Sequence, residues 1–365
     1  MAMTIVHAAD VHLETVFPDV RGGATRRAAL ADAFERIIAF ARTSDADVLT
    51  IGGDLYESER AGPATARFLF AALAAFGKPV FIAPGNHDPF GSRSLYARDD
   101  LPPNVHVFAD PSWSAVPLGA GITLYGFGHL PAEPGRPFAG ARFDRPGVRL
   151  ALVHGSDEER CPPGKRATAP FTAAEIRAAG ATFALSGHYH GGSVVADAAG
   201  PVFAYPGSPE PIKFGENGAH GALLVRIAND GTVRAENVPL ARTRLRDITI
   251  ALDDAADEGA VIAACERALD GCNRDDFVRA TLRGTVAPGT RVDRTLLEAR
   301  LAAPLGALDI VDRTATADYA RLAHEPTVRG RSIAALLARA GDGDEDARRA
   351  LAFVVTAFDG AEIVP

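Results

Sequence analysis

The sequence predicts an α/β protein in which two sheets pack face to face with helices outside, followed by a second, smaller α+β domain. Three observations predict it. Apolar, β-prone runs alternate with segments of helical period up to about Ile82, the βαβ pattern of a parallel sheet. Later strand-like runs are separated mostly by turns, which favours antiparallel pairing. Beyond about Ala241 strands and helices alternate again, without the polar motifs that follow the earlier strands.

The elements follow in order. Thr4-Ile5-Val6 opens the first strand, and Leu30, Phe34, Ile37, Ile38 and Ala41 share one face of a helix over residues 26–42. Residues 48–51 form the second strand, and residues 63–76 a helix with Phe68, Leu69, Ala72 and Phe76 inward. Residues 79–82 form the third strand. After Pro89 the rhythm lapses into short strands at 105–108 and 122–125 and a Pro/Gly-rich excursion over 131–147. Strands are then expected at 150–153, 182–185, 193–196 and 202–205. A hairpin over 222–238 turns at Asn229-Asp230-Gly231. The first half thus reads as mainly parallel and the second as mainly antiparallel.

The domains are expected at 1–240, 241–320 and, as a C-terminal helical tail, 321–365. The middle one carries strands at 247–252, 277–284 and 308–311 and helices at 259–269 and 293–302. In the tail, helices at 332–340 and 345–358 flank a Gly341-Asp342-Gly343-Asp344 turn.

At 365 residues, 47% hydrophobic and 23% charged, the chain can bury a substantial core. No apolar run reaches the length of a membrane span and no signal-peptide pattern opens the chain, so the expectation is a cytoplasmic protein. Cys161, Cys265 and Cys272 are few and unpaired in spacing, which suits a reducing compartment. A net charge of −8 argues against coating nucleic acid nonspecifically.

Five polar motifs each follow a predicted strand: Asp10-Val11-His12, Gly53-Asp54, Gly85-Asn86-His87-Asp88, His154-Gly155 and Gly187-His188-Tyr189-His190. Any one alone is a turn or a satisfied structural histidine. In series they supply the nitrogen and oxygen ligands that a pair of divalent metals needs, at the strand ends where open α/β sheets place their sites.

This series resembles the calcineurin-like metallophosphoesterase superfamily over about residues 4–240, and within it the Mre11/SbcD family of DNA repair nucleases. Gly53-Asp54-Leu55-Tyr56 and Tyr205-Pro206-Gly207-Ser208 strengthen the second likeness. The resemblance implies a four-layer α/β/β/α sandwich, with residues 241–320 as a capping domain. It implies two divalent ions, with Mn²⁺ as the expected metal. Asp10, His12, Asp54 and His190 would hold one ion. Asp54, Asn86, His154 and His188 would hold the other, with Asp54 as the bridge. Activated water between the ions is the implied nucleophile.

His87 is expected to stay off the metals and protonate the leaving oxygen, with Asp88 either orienting its imidazole or serving as a turn residue. Arg21, Arg60, Tyr189, Ser208 and Lys213 are candidate substrate contacts, and Arg26, Arg27, Arg93 and Arg98 further basic candidates. The likeness also implies DNA as substrate, a coiled-coil SMC-like ATPase docked on the C-terminal helices, and a homodimer. A stand-alone phosphodiesterase or phosphatase on small phosphoesters is the competing enzyme. A metal-free scaffold predicts eroded ligand positions, whereas here each is filled.

Overall fold

A computed structural model describes residues 2–17, 23–132, 135–162, 164, 166–216, 220–252, 255, 257–286, 290, 292–315, 319–341 and 344–358. The chain divides into two compact units, Met1–Arg244 and Leu245–Pro365.

The first unit begins with β1 (Met3–Ala8), α1 (Gly23–Thr43), β2 (Val48–Ile51), α2 (Pro63–Phe76), β3 (Val80–Ile82) and β4 (Val105–Val107). In α1 the buried positions Arg26, Leu30, Ala33, Phe34, Ile37, Ile38 and Ala41 recur at helical spacing. Pro63 starts α2, where its missing N–H costs nothing, and Gly77 ends it with φ 74°. The inward face of α2 is Ala66, Leu69, Phe70, Leu73 and Phe76; Phe68 and Ala72 are only half-buried, one step round the helix from the expected face.

There follow β5 (Ser114–Gly119), β6 (Ile122–Gly126), β7 (Val148–His154), α3 (Ala173–Ala178), β8 (Phe183–Gly187), β9 (Ser193–Asp197), β10 (Gly200–Tyr205), β11 (Gly221–Ile227) and β12 (Val233–Pro239). One sheet has the order β12-β11-β1-β2-β3-β4 and the other β5-β6-β7-β8-β10-β9. Ile5, Phe81, Leu223 and Val225 of the first meet Leu124, Leu150, Leu152 and Phe183 of the second in one buried cluster, so the sheets pack face to face.

The parallel first half holds in β1 to β4, but the mainly antiparallel second half is overturned. β6 pairs parallel with β7, β7 with β8, and β8 with β10. The β11–β12 hairpin joins the first sheet, with β11 antiparallel to β1. The excursion after β6 and α3 after β7 act as crossovers, and the resulting strands, buried on both faces, read as continuous apolar runs that do not reveal their direction.

The second unit holds β13 (Arg244–Ala251), α4 (Glu258–Ala268), β14 (Asp276–Thr285), α5 (Arg294–Leu301), β15 (Ala307–Ala315), α6 (Tyr319–Ala323), α7 (Val328–Gly341) and α8 (Glu345–Phe358). Its three strands pair in the order β13-β14-β15 around a core that includes Val261, Cys265, Leu282, Leu297 and Ile310. A second cluster of Leu322, Ile333, Ala340, Ala347, Leu351 and Val355 joins α6, α7 and α8. Asp342 and Gly343 of the expected acidic turn lie outside the described residues. Among the described residues no helix is long and apolar enough to cross a membrane.

Candidate metal centre

Strand register places the polar motifs together. Val6 pairs with Leu49 and Ile51 with Ile82, so the carboxyl ends of β1, β2 and β3 lie side by side, while His154 pairs with Gly187 at the ends of β7 and β8. The turns that follow are tight. Asp10, His12 and Asp54 have φ of 55°, 51° and 52°, and His188 117°, the kind of backbone strain that collects at functional sites. A Cβ at Gly85 would collide with the Asp54 carboxylate, so that position needs glycine.

All seven candidate ligands converge. Nε2 of His12 lies 3.2 Å from Nε2 of His190, and Asp10 groups with both. Asp54, His154 and His188 form a second group, in which His154 Nε2 is 3.0 Å from Asn86 Oδ1 and 3.3 Å from His188 Nδ1. Asp54 Oδ2 stands 3.7 Å from His12 Nε2 and 3.3 Å from His154 Nε2, between the two groups.

The donor chemistry fits cations there. His12 Nδ1 donates to Glu57 Oε1 at 2.9 Å, His190 Nδ1 to Glu216 Oε1 at 2.6 Å and His154 Nδ1 to the Gly52 carbonyl at 2.8 Å. A neutral ring that donates through Nδ1 presents a lone pair at Nε2. The facing Nε2 atoms of His12 and His190 are then two lone pairs at 3.2 Å, and His154 Nε2 faces two oxygens. Positive charge relieves both clashes. The electrostatics agree: burial disfavours charge on His154, yet Asp54 outweighs it and pushes the pKa up to about 9. His188, buried and beside His154, is lowered to about 3, which keeps its ring a neutral ligand.

His87 stands apart from these two groups. It is half-exposed at the cleft, its ring edge-on to His12 at 4.7 Å, and its Nδ1 donates to Glu57 Oε2 at 2.8 Å. Of the two roles expected for Asp88, the structure shows that of a turn residue and not that of orienting His87. Asp88 is fully buried and accepts from the Asp54, Leu55 and Gly85 amides at 3.0, 2.7 and 2.6 Å and from Tyr96 Oη at 2.5 Å, so it anchors the Asp54 turn. Glu57 takes the orienting position. Glu57 and Glu216 were missed because an acidic residue in a turn carries no sign of its partner.

A cleft of about 560 Å³ over the centre is lined by His12, Asp54, His87, Tyr189, Lys213 and Glu216, among others. Of the expected substrate contacts, Tyr189 and Lys213 line it. Ser208 does not: it is fully buried, with Oγ 3.0 Å from His220 Nδ1. Arg60 is exposed and outside the lining, and Arg21 lies outside the described residues. Arg26 is no surface charge but a buried cation whose side chain reaches the Pro211 carbonyl and Thr243. Arg27 and Arg93 are exposed, and Arg98 pairs with Asp100 at 2.8 Å.

A model of the calcineurin-like phosphoesterase family matches residues 3–192, which include all seven candidate ligands. Two relatives are each 28% identical: an uncharacterized metallophosphoesterase of Bacillus subtilis, aligned over 62% of this chain, and the DNA double-strand break repair protein Mre11 of Methanopyrus kandleri, over 66%. The chain spans 58% of the length of each. A dimetal phosphatase from Danio rerio aligns structurally over 61% of this chain and 92% of its own, with 12% identity and a TM-score of 0.41.

Proposed function

The chain belongs to the calcineurin-like phosphoesterase family, and from that premise we propose that it is a metal-dependent phosphodiesterase acting on DNA ends, as an exonuclease or endonuclease of DNA repair. The observation that carries the hydrolytic part is Asp54 Oδ2 set between two ligand groups, at 3.7 Å from His12 and 3.3 Å from His154. Asp10, His12 and His190 with Asp54 would hold one divalent ion, and Asn86, His154 and His188 with Asp54 the other. When bound, such a pair supplies an acidified water and positive charge for the phosphoryl oxygens. Mn²⁺ is the metal of this reading by family likeness; mixed imidazole and carboxylate ligands suit first-row ions in general, zinc and iron included. Glu57 and Glu216 fix the ligand tautomers. His87 delivers a proton to the departing sugar oxygen, with Glu57 holding its ring.

Three further observations support this reading. One relative is a DNA repair protein, and a unit of its own follows the site-bearing one. On α7 and α8, Val328, Phe353 and Phe358 expose 60, 42 and 48% of their surface, as a docking segment for a coiled-coil ATPase requires. A homodimer and a cytoplasmic setting, the latter favoured by a cysteine content of three, belong to the same reading.

A small phosphoester as substrate is the second reading, and the cleft lining favours it. Among the described lining residues Lys213 is the one cation besides the imidazoles, against Asp54, Glu57 and Glu216. The purified protein with Mn²⁺ is to be assayed on linear DNA, a cyclic nucleotide and an aryl phosphodiester. Cleavage of DNA supports the nuclease; turnover of the small esters alone selects the second reading.

A further inference from the structure

Building on the phosphodiesterase reading, we propose that Tyr189 and Pro162 form a stacking wall for the nucleoside next to the scissile phosphate. Tyr189 sits between the ligands His188 and His190, so whatever touches its ring lies beside the metal centre. Its hydroxyl is already engaged, donating to the Asp157 carbonyl at 3.0 Å. Tyr205 backs the ring at 4.9 Å, and its own hydroxyl accepts from the Asp157 amide at 2.9 Å. One turn after β7 therefore holds both tyrosines. Tyr189 also packs against the aromatic cluster of Phe171, Phe203 and Tyr205, yet remains half-buried and lines the cleft with Pro162 and Ile212.

What the cleft meets at Tyr189 is thus ring surface, fixed at its tip and its back, and Tyr189 is the one carbocyclic aromatic ring among the described lining residues. A fixed ring loses little freedom on binding. A nucleobase gains from such a face whatever its sequence, because every base has a π face. A phosphate bearing only a small alkyl group gains nothing from it. The cleft volume of about 560 Å³ falls within the range of sites that enclose small organic ligands.

The test is calorimetric titration, in Mn²⁺ buffer, with thymidine 5′-phosphate and with methyl phosphate. The wild-type protein and Tyr189→Phe are expected to prefer the nucleotide. In Tyr189→Ala the preference should fall roughly ten- to hundredfold, the worth of one base–aromatic stack. Tyr189→Leu, which keeps apolar volume without a π face, should fall with it and serves if the alanine variant does not fold. An unchanged preference overturns the proposal. So does an equal loss of both ligands in folded protein, which makes Tyr189 a support for His188 and His190. If the wild type binds both ligands with no preference, the wall fails while the phosphodiesterase reading stands. If it binds neither, that reading fails and this proposal with it.

Discussion

Glu57 holds His87 through a hydrogen bond of 2.8 Å to Nδ1, and its other oxygen lies 2.9 Å from Nδ1 of His12. One carboxylate thus ties the proposed proton donor to a candidate metal ligand. Burial opposes charge on Glu57, but the two imidazoles outweigh it and lower its pKa to about 2, so it stays ionised at any working pH.

That hydrogen bond raises the pKa of His87. If protonated His87 is the acid, turnover falls as pH rises through its pKa. Glu57→Gln removes the anion, so the alkaline limb of the kcat profile should move to lower pH. A limb that stays in place in a variant still loaded with metal would show that Glu57 does not tune His87.

His87→Ala should keep both metals and lower kcat by about 10² to 10⁴ on DNA or another ester with an alkoxide leaving group. An aryl ester, whose leaving group needs no proton, should lose much less. Equal losses on the two substrates remove His87 from the role of acid.

Asp54 Oδ2 lies 3.7 Å from His12 Nε2 and 3.3 Å from His154 Nε2, within reach of one histidine of each candidate group. Elemental analysis of Mn²⁺-loaded protein should approach about two ions per chain, and Asp54→Ala should lower the occupancy of both. One ion per chain, unaffected by the substitution, rules out the binuclear centre.

His7 is fully buried on β1, with Nδ1 3.0 Å from Thr50 Oγ1, and burial lowers its pKa from 6.5 to about 4. The unfolded chain therefore binds a proton that the folded one refuses. Its contribution is fully present above about pH 6.5 and is lost as pH falls through 4, a change of about 3 kcal/mol. His7→Gln should flatten the pH dependence of urea unfolding between about pH 6.5 and 5. An unchanged slope would mean that the buried ring is not what titrates.

The end of the site-bearing unit matters for truncation. The buried Glu210 carboxylate pairs with Arg36 and accepts from the Arg242 and Thr243 amides at 2.9 and 3.0 Å. A chain ended at Arg244 should therefore unfold at higher temperature than one ended at Val238, which strips those amides from a buried charge. The longer one should hydrolyse an aryl phosphodiester and cleave DNA poorly. Full DNA cleavage by it removes the capping role of the second unit. Loss of residues 331–365 alone should spare the nuclease and abolish capture of a cognate ATPase in a pull-down.

The candidate metal-ligand motifs were legible in the sequence because each is local: a few polar residues directly after an apolar strand, with glycine where the turn requires it. Most strands and helices around them were readable from periodicity for the same reason, but β5 and α3, both short, were not among the expected elements. What only the tertiary structure decided lies in pairings between distant segments. Glu57 reaches His12 across 45 positions and Glu216 reaches His190 across 26. Asp88 turns from His87, its sequence neighbour, to amides 33 and 34 positions away. The burial of Ser208 and Arg26 and the parallel course of β6, β7, β8 and β10 are of the same kind. The physical reason is that residue type and spacing determine backbone conformation and apolar face within one element. Which acceptor a buried donor finds depends on which elements the core brings together.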